Sequence, residues 1–371
     1  MPRTPPSTPL PTPRLEPPEH WVLKLQTITP MFGGGAETRQ VDPEHPIRAA
    51  SVRGHLRFWW RATAGAQCST LKELFEKESE IWGNTETHGR VRVEITNQHA
   101  APKKLLSDLR LPRETAYATF PFRRQQDGTP EAYGLEGVTF DLTLYCPSSL
   151  RSQVETALNA WVMFGGIGAR TRRGCGSLAF ADDHSSEVQP PAKSSSLLTT
   201  LPVRMFVGQK KNDALSAWAE AVKVYQDFRQ GDGIARSSSR GRPPVNGKKA
   251  PPGRSFWPEP DSLRRVTGRH ASRHVPKHSE SDGYPRADLG LPIVFHFKDA
   301  KAGDPEDLTL QGAGDGQERF ASPVVTKAVW LEGQFVPLLM ILDSPHVWEA
   351  AGGVALVTTK GRRTVIKRIA D

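Results

Sequence analysis

The segment that decides the fold, residues 47–65, reads IRAASVRGHLRFWWRATAG. From Ser51 onward its apolar residues recur at spacings of three and four, which is the pattern of an amphipathic helix. The residues on this apolar face are Val52, Leu56, Trp59, Trp60 and Thr63. We expect this face to be buried and the rest of the helix to face solvent or a ligand.

Four arginines, Arg48, Arg53, Arg57 and Arg61, occupy the same segment, and no carboxylate occurs between Glu44 and Glu73. We therefore expect these guanidinium groups to lack a nearby partner. A charge run is usually a solvated face, but solvated faces normally mix both signs of charge. Because a planar guanidinium can hold two phosphate oxygens, the pattern favours a phosphate-binding helix.

A second basic segment, GGIGARTRRGCGS at residues 165–177, also lacks carboxylates. Its glycines are Gly165, Gly166, Gly168, Gly174 and Gly176, and its arginines are Arg170, Arg172 and Arg173. The register does not fit a P-loop, and a dinucleotide motif would follow a strand and open a helix, the reverse of the order here. Glycines allow a tight loop that presents N–H groups outward. The pattern indicates either a loop that follows a sugar-phosphate backbone or a plain flexible connection.

The elements around these segments follow the order strand, helix, strand, strand, helix, strand. Alternating apolar residues predict strands at 21–28, 90–96, 138–146 and 177–180, and a helix at 148–164 capped by Ser148 or Ser149. An extra strand is expected at 118–122. This order is that of a ferredoxin-like unit, whose open sheet face often hosts RNA.

The second half predicts a strand at 202–208, a helix at 212–230, a strand at 291–297 and a hairpin at 322–342 that turns near Glu332 and Gly333. The chain divides into a disordered Pro-rich tail (1–20), an N-terminal domain (21–183), a linker (184–200) and a C-terminal domain (201–371). The basic insert 231–285 is expected to be a mobile loop with little core.

Composition limits the class of protein. Among 371 residues, 49 Lys and Arg outweigh 40 Asp and Glu, and the net charge of +9 favours nucleic acid or acidic lipid as partner. No apolar run suggests a membrane span or signal peptide, so a cytoplasmic protein is expected. His270, His274 and His278 recur every four residues, but their segment is broken by proline and glycine. We expect no metal site there and no cofactor.

His55 is the one residue of the arginine helix that could act as a general base in an RNA-cutting protein. Neither basic segment offers it an acidic partner, and a ribonuclease needs both an acid and a base near the scissile phosphate. We therefore expect His55 to contact the RNA backbone and expect no catalytic residue. A third hypothesis, from a different class, is a basic scaffold that binds acidic membrane surfaces.

The blocks TPMFGGG (29–35), IRAASVRGHLRFWWRA, GGIGARTRRGCGSL, LGLPIVFHF and RFASPVV resemble the RAMP proteins of type III CRISPR effector complexes. More narrowly, they resemble the first-numbered subunit of the type III-B Cmr complex. The resemblance implies two ferredoxin-like domains, guide and target RNA as partners beside other RAMP subunits, and a position capping the filament near the guide RNA 3′ end. It also implies that this subunit does not cut RNA, although a RAMP endoribonuclease that processes CRISPR RNA remains the alternative. The RNA contacts implied by the match are Arg48, Arg53, Arg57, Trp59, Gly165, Gly166, Gly168, the loop arginines and Arg319.

Overall fold

The structure is a computed structural model that describes residues 19–181, 203–239, 253–279, 283–331, 333–343 and 353–366. It is an α+β protein with mixed helices and antiparallel sheets. The helices are α1 (Ala49–Ala62), α2 (Leu71–Trp82), α3 (Ala116–Thr119), α4 (Arg151–Phe164), α5 (Ala214–Gln230) and α6 (Glu259–Thr267). The strands of the first half are β1 (Glu19–Thr27), β2 (Met31–Phe32), β3 (Arg92–His99), β4 (Lys104–Leu105), β5 (Tyr133–Leu135), β6 (Thr139–Cys146) and β7 (Leu178–Phe180). Those of the second half are β8 (Arg204–Val207), β9 (Ile293–Phe295), β10 (Leu308–Gly312), β11 (Val324–Leu331), β12 (Gln334–Ile341), β13 (Val354–Thr358) and β14 (Arg363–Ile366).

The first half is built around a four-stranded antiparallel sheet in the order β3-β6-β1-β7. Along β1 the side chains of Trp21, Leu23 and Leu25 are buried while those between them are more exposed, as the period-two pattern predicts. Helices α1 and α4 pack together against the buried face of this sheet. The predicted order of strands and helices in this half is therefore observed.

Helix α1 is anchored by the apolar face that its spacing predicts. Val52, Leu56 and Trp60 are fully buried, and Trp59 is almost so. The indole Nε1 of Trp60 donates to Gln153 Oε1 of α4 at 3.1 Å, so its single polar group is satisfied. Burying large side chains of this kind stabilises the fold by roughly 1.5–3 kcal/mol each.

The second half adds two sheets, one in the order β11-β12-β8 and one in the order β14-β13-β10-β9. The predicted hairpin is present, with β11 ending at Leu331 and β12 beginning at Gln334. Its inner residues, including Val325, Val329 and Leu338, join the same apolar core as α1 and α4. Helix α5 packs on this hairpin. The two halves therefore share one core around the C-terminal end of α4.

Two local expectations are corrected, and one helix was not expected. Residues 118–122 are not a strand but the end of α3 and a 3₁₀ turn at Phe120–Phe122, because Pro121 has no N–H to give a sheet and favours a first helical position. Neither Ser148 nor Ser149 caps α4, since both lie in a preceding 3₁₀ turn. Helix α2 has no counterpart in the sequence-based prediction.

The expectation of little core in the insert 231–285 is wrong for its described part. Helix α6 lies within it, and Leu263 is fully buried in a third apolar cluster with Leu291 and Leu310. The buried groups of α6 also include Glu259, Asp261 and Arg264, which is why hydropathy does not reveal them. The predicted linker 184–200 and most of the predicted tail, residues 1–18, lie outside the described residues. None of the described helices is long and apolar enough to cross a membrane.

Candidate nucleic-acid interface

A groove runs between the first half of α1 and the glycine-rich loop 165–176. It consists of two adjoining depressions of about 440 and 170 Å³ that share Ser51 and His55. The residues of α1 on this side are Ser51, Gly54, His55 and Phe58, whose spacings of three and four place them on one face of the helix. The facing wall is formed by Gly165, Ile167, Gly168, Ala169, Thr171 and Arg172. Two basic segments more than 100 residues apart are thus brought together.

The stripe of Arg53, Arg57 and Arg61 does not face this groove. Arg57 and Arg61 both pair with Glu78 of α2, whose side chain is almost fully buried; the two bonds from Arg61 measure 2.6 and 2.7 Å. The expectation that these guanidinium groups lack a partner is therefore wrong for Arg57 and Arg61. A carboxylate 17 to 21 residues along the chain satisfies them, and it belongs to the helix that the sequence pattern did not reveal.

Arg48 and Arg53 lie on different sides of α1. Arg48 precedes the first residue of the helix, lines the smaller depression and donates to the carbonyl oxygen of Gly34 at 2.5 Å. Arg53 is exposed and lines a different cavity on the opposite side of the helix. Of the four arginines on the segment 47–65, only Arg48 therefore reaches the groove.

The glycines of the loop serve close packing more than the outward display of N–H groups. Gly168 has a φ of +87°, and a Cβ on it would lie 2.5 Å from the carbonyl oxygen of Phe32, so only glycine fits. The N–H groups of Ile167, Ala169 and Gly176 donate to protein carbonyls at 2.6–2.9 Å. Gly166 likewise packs against the backbone of Gly176. The loop is a rigid wall of the groove.

The three loop arginines have different environments. Arg173 is buried and donates to the carbonyl oxygen of Val324 at 2.5 Å and to the hydroxyl of Tyr225 at 3.2 Å. Arg170 donates to the carbonyl oxygen of Ala118 at 3.0 Å. Both side chains support the fold. Arg172 is the one that lines the groove.

Arg172 lies over the ring of Phe58, with the guanidinium carbon 5.2 Å from the ring centroid, and donates to the carbonyl oxygen of Ser322. A guanidinium fixed over an aromatic ring keeps other N–H groups available for an anion. Arg319, the candidate from the third matched block, is exposed and lies three residues before Ser322. The loop that holds Arg319 therefore approaches the groove beside Arg172.

His55 occupies the middle of the groove. Its ring stacks nearly parallel to that of Trp161, with centroids 6.0 Å apart, and burial lowers the pKa of the imidazole. Trp59 forms part of the floor, close to Gly165. No carboxylate is among the described residues that line the groove, so it offers no acid–base pair.

Lys327 of β11 lies directly beneath the loop and was not identified from the sequence. Its side chain is fully buried, and Nζ donates to the carbonyl oxygens of Gly165 at 2.7 Å and Val162 at 3.3 Å. Burial lowers the pKa of this amine to about 7. Because those carbonyls end α4, Lys327 closes that helix and fixes the first glycine of the groove wall.

The histidines spaced by four residues do not converge. His274 Nδ1 lies 2.6 Å from Asp304 and His278 Nδ1 lies 2.8 Å from Asp261. Asp304 also accepts two hydrogen bonds from Arg264, both at 3.1 Å. The carboxylate of Asp304 is thus occupied by a guanidinium and is poorly suited to hold a metal ion.

Comparison with known proteins gives a coherent result. Residues 24–179 match the model of the RAMP superfamily. The chain is 32% identical over 139 residues to the CRISPR system Cmr subunit Cmr1-1 of Pyrococcus furiosus, which is 36% of this chain and 41% of that protein. It is 28% identical over 177 residues to Cmr1-2 of the same organism, which is 42% of this chain and 92% of that protein. The matched region thus spans less than half of the length of Cmr1-1.

A solved structure resembles the whole described fold. The crystal structure of Cmr1 from Pyrococcus furiosus in its apo form aligns with a TM-score of 0.51 at 17% identity, covering 88% of each chain. This likeness concerns the fold alone, while the family model covers residues 24–179, which contain most of the residues that line the groove. The chain therefore resembles RAMP-superfamily proteins through residues 24–179, and its sequence matches to Cmr1-1 and Cmr1-2 make it similar to Cmr1 subunits of the Cmr system in particular.

Proposed function

We propose that this protein is a non-catalytic RNA-binding subunit of a type III-B CRISPR effector complex and that the groove between α1 and the glycine-rich loop holds the RNA backbone. The observation that carries the proposal is the meeting of two basic segments at a groove whose described lining includes no carboxylate. Arg48 and Arg172 stand near its two ends, with His55 and Phe58 between them.

The chemistry of the groove fits a single strand. Arginine at its ends can bind phosphates, and the partly exposed ring of Phe58 offers a face on which a base can stack. Sequence choice would come from pairing between guide and target RNA, while the protein reads backbone and shape. The partners proposed are therefore guide RNA, target RNA and other RAMP subunits, with this chain capping the filament near the guide RNA 3′ end.

The domain organisation proposed for this function is two ferredoxin-like units, 21–183 and 201–371. The sheet order β3-β6-β1-β7 with α1 and α4 supports it for the first unit. In the second, β8, α5 and the hairpin β11–β12 supply the first part of the same arrangement. The insert between α5 and β11 supplies β9 and β10 of the additional sheet, and β13 and β14, which follow β12, complete it.

RNA binding tests the proposal. The double variant Arg48→Gln, Arg172→Gln should weaken binding of an end-labelled single-stranded RNA and lower the slope of log K against log salt by about 1.4, or ~0.7 per lost phosphate contact. Arg113→Gln is the matched control, since Arg113 is exposed and lies outside the groove. An unchanged slope in the double variant would contradict the proposed interface.

The same incubation tests the endoribonuclease alternative. The described lining of the groove offers His55 no carboxylate to complete an acid–base pair, so the RNA should remain intact. Cleavage by the purified full chain that is lost in His55→Ala would replace the non-catalytic assignment. The membrane hypothesis requires an available apolar helix face, but that of α1 is buried. Flotation with anionic liposomes should therefore leave the protein unbound.

A further inference from the structure

A second cavity lies on the opposite side of α1 from the groove and has a volume of about 760 Å³. Helix α1 contributes Ala49, Ala50 and Arg53 to it, whereas the groove uses Ser51, Gly54, His55 and Phe58. The two linings share no residue, so the helix separates two concave surfaces. Of the residues that line it, the resemblance to RAMP proteins implies an RNA contact for Arg53 alone.

The lining of this cavity is cationic. It contains Arg53, Arg90 and Arg92 and no carboxylate. Arg90 pairs with Glu80 at 2.5 Å and Arg92 lies 3.8 Å from Glu94, while Arg53 has no ion-pair partner among the described residues. An exposed arginine without a carboxylate partner, set in a concave surface, favours an anionic ligand.

Stacked rings form another part of the cavity. His20 and Tyr145 are cross-strand partners of β1 and β6, and their ring centroids lie 5.5 Å apart at an angle of 27°. Arg92, the partner of Tyr145 on β3, places its guanidinium carbon 3.8 Å from the Tyr145 centroid. The row of three side chains crosses one end of the sheet and offers a planar surface on which a base could stack.

Trp82, the last residue of α2, places a buried indole in the wall of the cavity. Its side chain is 2% exposed and lines the cavity, yet its indole Nε1 has no hydrogen-bond partner among the described residues. A buried donor left without an acceptor costs roughly 1–3 kcal/mol. The Nε1 atom itself is not accessible in this structure. A ligand would reach it only if neighbouring side chains move, and it would then have to present an acceptor, because the indole N–H can only donate.

We propose that this cavity binds a nucleoside phosphate, with the phosphate at Arg53 near the start of α1 and the base against the His20–Tyr145–Arg92 row. The side chains of Arg53, Arg92 and Trp82 are donors, so they fit the acceptor oxygens of a phosphate and the ring nitrogens of a base. Helix α1 has no acidic residue in its first turn, which suits an anion there. The volume lies within the range of small-molecule sites.

This inference goes beyond the proposed function because it assigns a ligand to a site separate from the groove. The nucleoside phosphate could be free in solution or part of an RNA strand. Both sources present the same chemistry to the cavity, and they differ in whether RNA competes for it.

The experiment uses the full chain and two probes, adenosine 5′-monophosphate and a single-stranded RNA about 12 nucleotides long, which lies within the range of single-strand site sizes. Calorimetry at low salt should show binding of the mononucleotide that weakens at least about tenfold in Arg53→Gln and in Arg92→Gln, since a charge-assisted hydrogen bond contributes more than a neutral one. Adenosine without phosphate should bind more weakly than the monophosphate. Trp82→Phe keeps an aromatic ring, removes the unpartnered N–H and should also weaken binding. Circular dichroism verifies its fold.

Two control variants separate this site from the groove. Arg113→Gln and the groove variant Arg172→Gln should bind the mononucleotide as the unaltered chain does. If RNA displaces the mononucleotide, or if the cavity variants weaken RNA alone, the ligand is a nucleotide within a strand. If the mononucleotide binds and RNA does not displace it, the ligand is free.

The outcomes also distinguish failure of this inference from failure of the proposed function. Cavity variants that bind both probes as tightly as the unaltered chain would overturn the nucleoside-phosphate site and leave the groove intact. Loss of RNA binding confined to Arg48→Gln and Arg172→Gln would retain the groove, and weakened mononucleotide binding in the cavity variants would then assign the cavity to a free nucleotide. If RNA binding is weakened only in the cavity variants, the nucleoside-phosphate site is retained and the groove is not the RNA-binding surface.

Discussion

The N-terminal region (19–181) and the segment 253–310 are stabilised in opposite ways. In the first, Trp60, Trp82 and Trp161 are fully or almost fully buried among aliphatic side chains. In the second, the buried residues include three acidic groups, Glu259, Asp261 and Asp304, bound by arginines, histidines and backbone N–H groups. The apolar core has a periodicity that a sequence reveals, whereas an ionic core resembles a solvated segment in composition.

The ionic core depends on complete pairing. Asp304 accepts two bonds from Arg264, one from the backbone N–H of Ala271 at 3.0 Å, and lies beside His274. Burial alone would raise the pKa of Asp304. The hydrogen bonds from Arg264 and Ala271 lower that pKa by more than burial raises it, and together they hold it at about 2. Such a cluster is stable as a whole and sensitive to loss of any one member.

The largest effect is expected in the apolar region. Trp60→Ala should lower the free energy of unfolding by roughly 3–5 kcal/mol, because a fully buried indole leaves a cavity and removes the bond to Gln153. Urea unfolding followed by fluorescence measures it. A loss below about 1 kcal/mol would show that α1 is not anchored by this residue.

The second prediction concerns the ionic region. Asp304→Ala should cost about 3 kcal/mol, since it leaves Arg264 buried beside a single remaining carboxylate, Asp261. Limited proteolysis should show faster cleavage within 253–310 than within 19–181. Uniform sensitivity across the chain would mean that the two regions unfold together and would remove the contrast.

Lys327 brings a charge into the apolar core and gives the third prediction. Its pKa of about 7 lies below the value of ~10.4 in an unfolded chain, so the unfolded state binds more protons above pH 7 and stability from this group rises with pH. Between about pH 7 and about pH 8.5 the gain should be about 2 kcal/mol, at roughly 1.4 kcal/mol per pH unit. Lys327→Met should lack this rise.

The comparison of Lys327→Met with the unaltered chain must be made at each pH, because Cys146 and Cys175 are common to both. Burial raises the pKa of these thiols to about 11 and about 12, which opposes the rise in stability once unfolded thiols begin to ionise. The difference between the two chains therefore isolates Lys327. Parallel pH profiles would mean that the amine remains charged in the core.

The smallest effect is expected at the arginine stripe. Glu78→Gln should destabilise by about 1 kcal/mol, because Arg57 and Arg61 remain partly exposed and can reach water. RNA binding should change little, since neither arginine lines the groove. Strongly tightened RNA binding in this variant would show instead that Glu78 withholds these arginines from the strand.

Much of the fold could be predicted because its signals are local. The alternation in β1, the three-and-four spacing in α1 and the aliphatic runs of β11 and β12 each follow from burial of one face. Helix α2 was missed although Thr70 accepts from the N–H of Glu73 as a helix cap. Its exposed Leu71 and Phe75 blur the apolar stripe.

The candidate site could be predicted only in part. The two carboxylate-free segments indicated which parts of the chain to examine, and the structure brings Arg48 and His55 together with Gly168 and Arg172. The pairing of Arg57 with Glu78 and the burial of Arg173 could not be foreseen. Both depend on contacts between residues 21 to 151 positions apart.

The sequence by itself determined the order of the four strands of the first sheet with α1 and α4, the buried face of α1 and the excess of positive charge, because periodicity and composition are properties of neighbouring residues. Only the tertiary structure decided which arginines remain available to a ligand. The reason is that a guanidinium is claimed by whichever carboxylate or carbonyl the fold places within hydrogen-bonding distance, and the sequence does not state that distance.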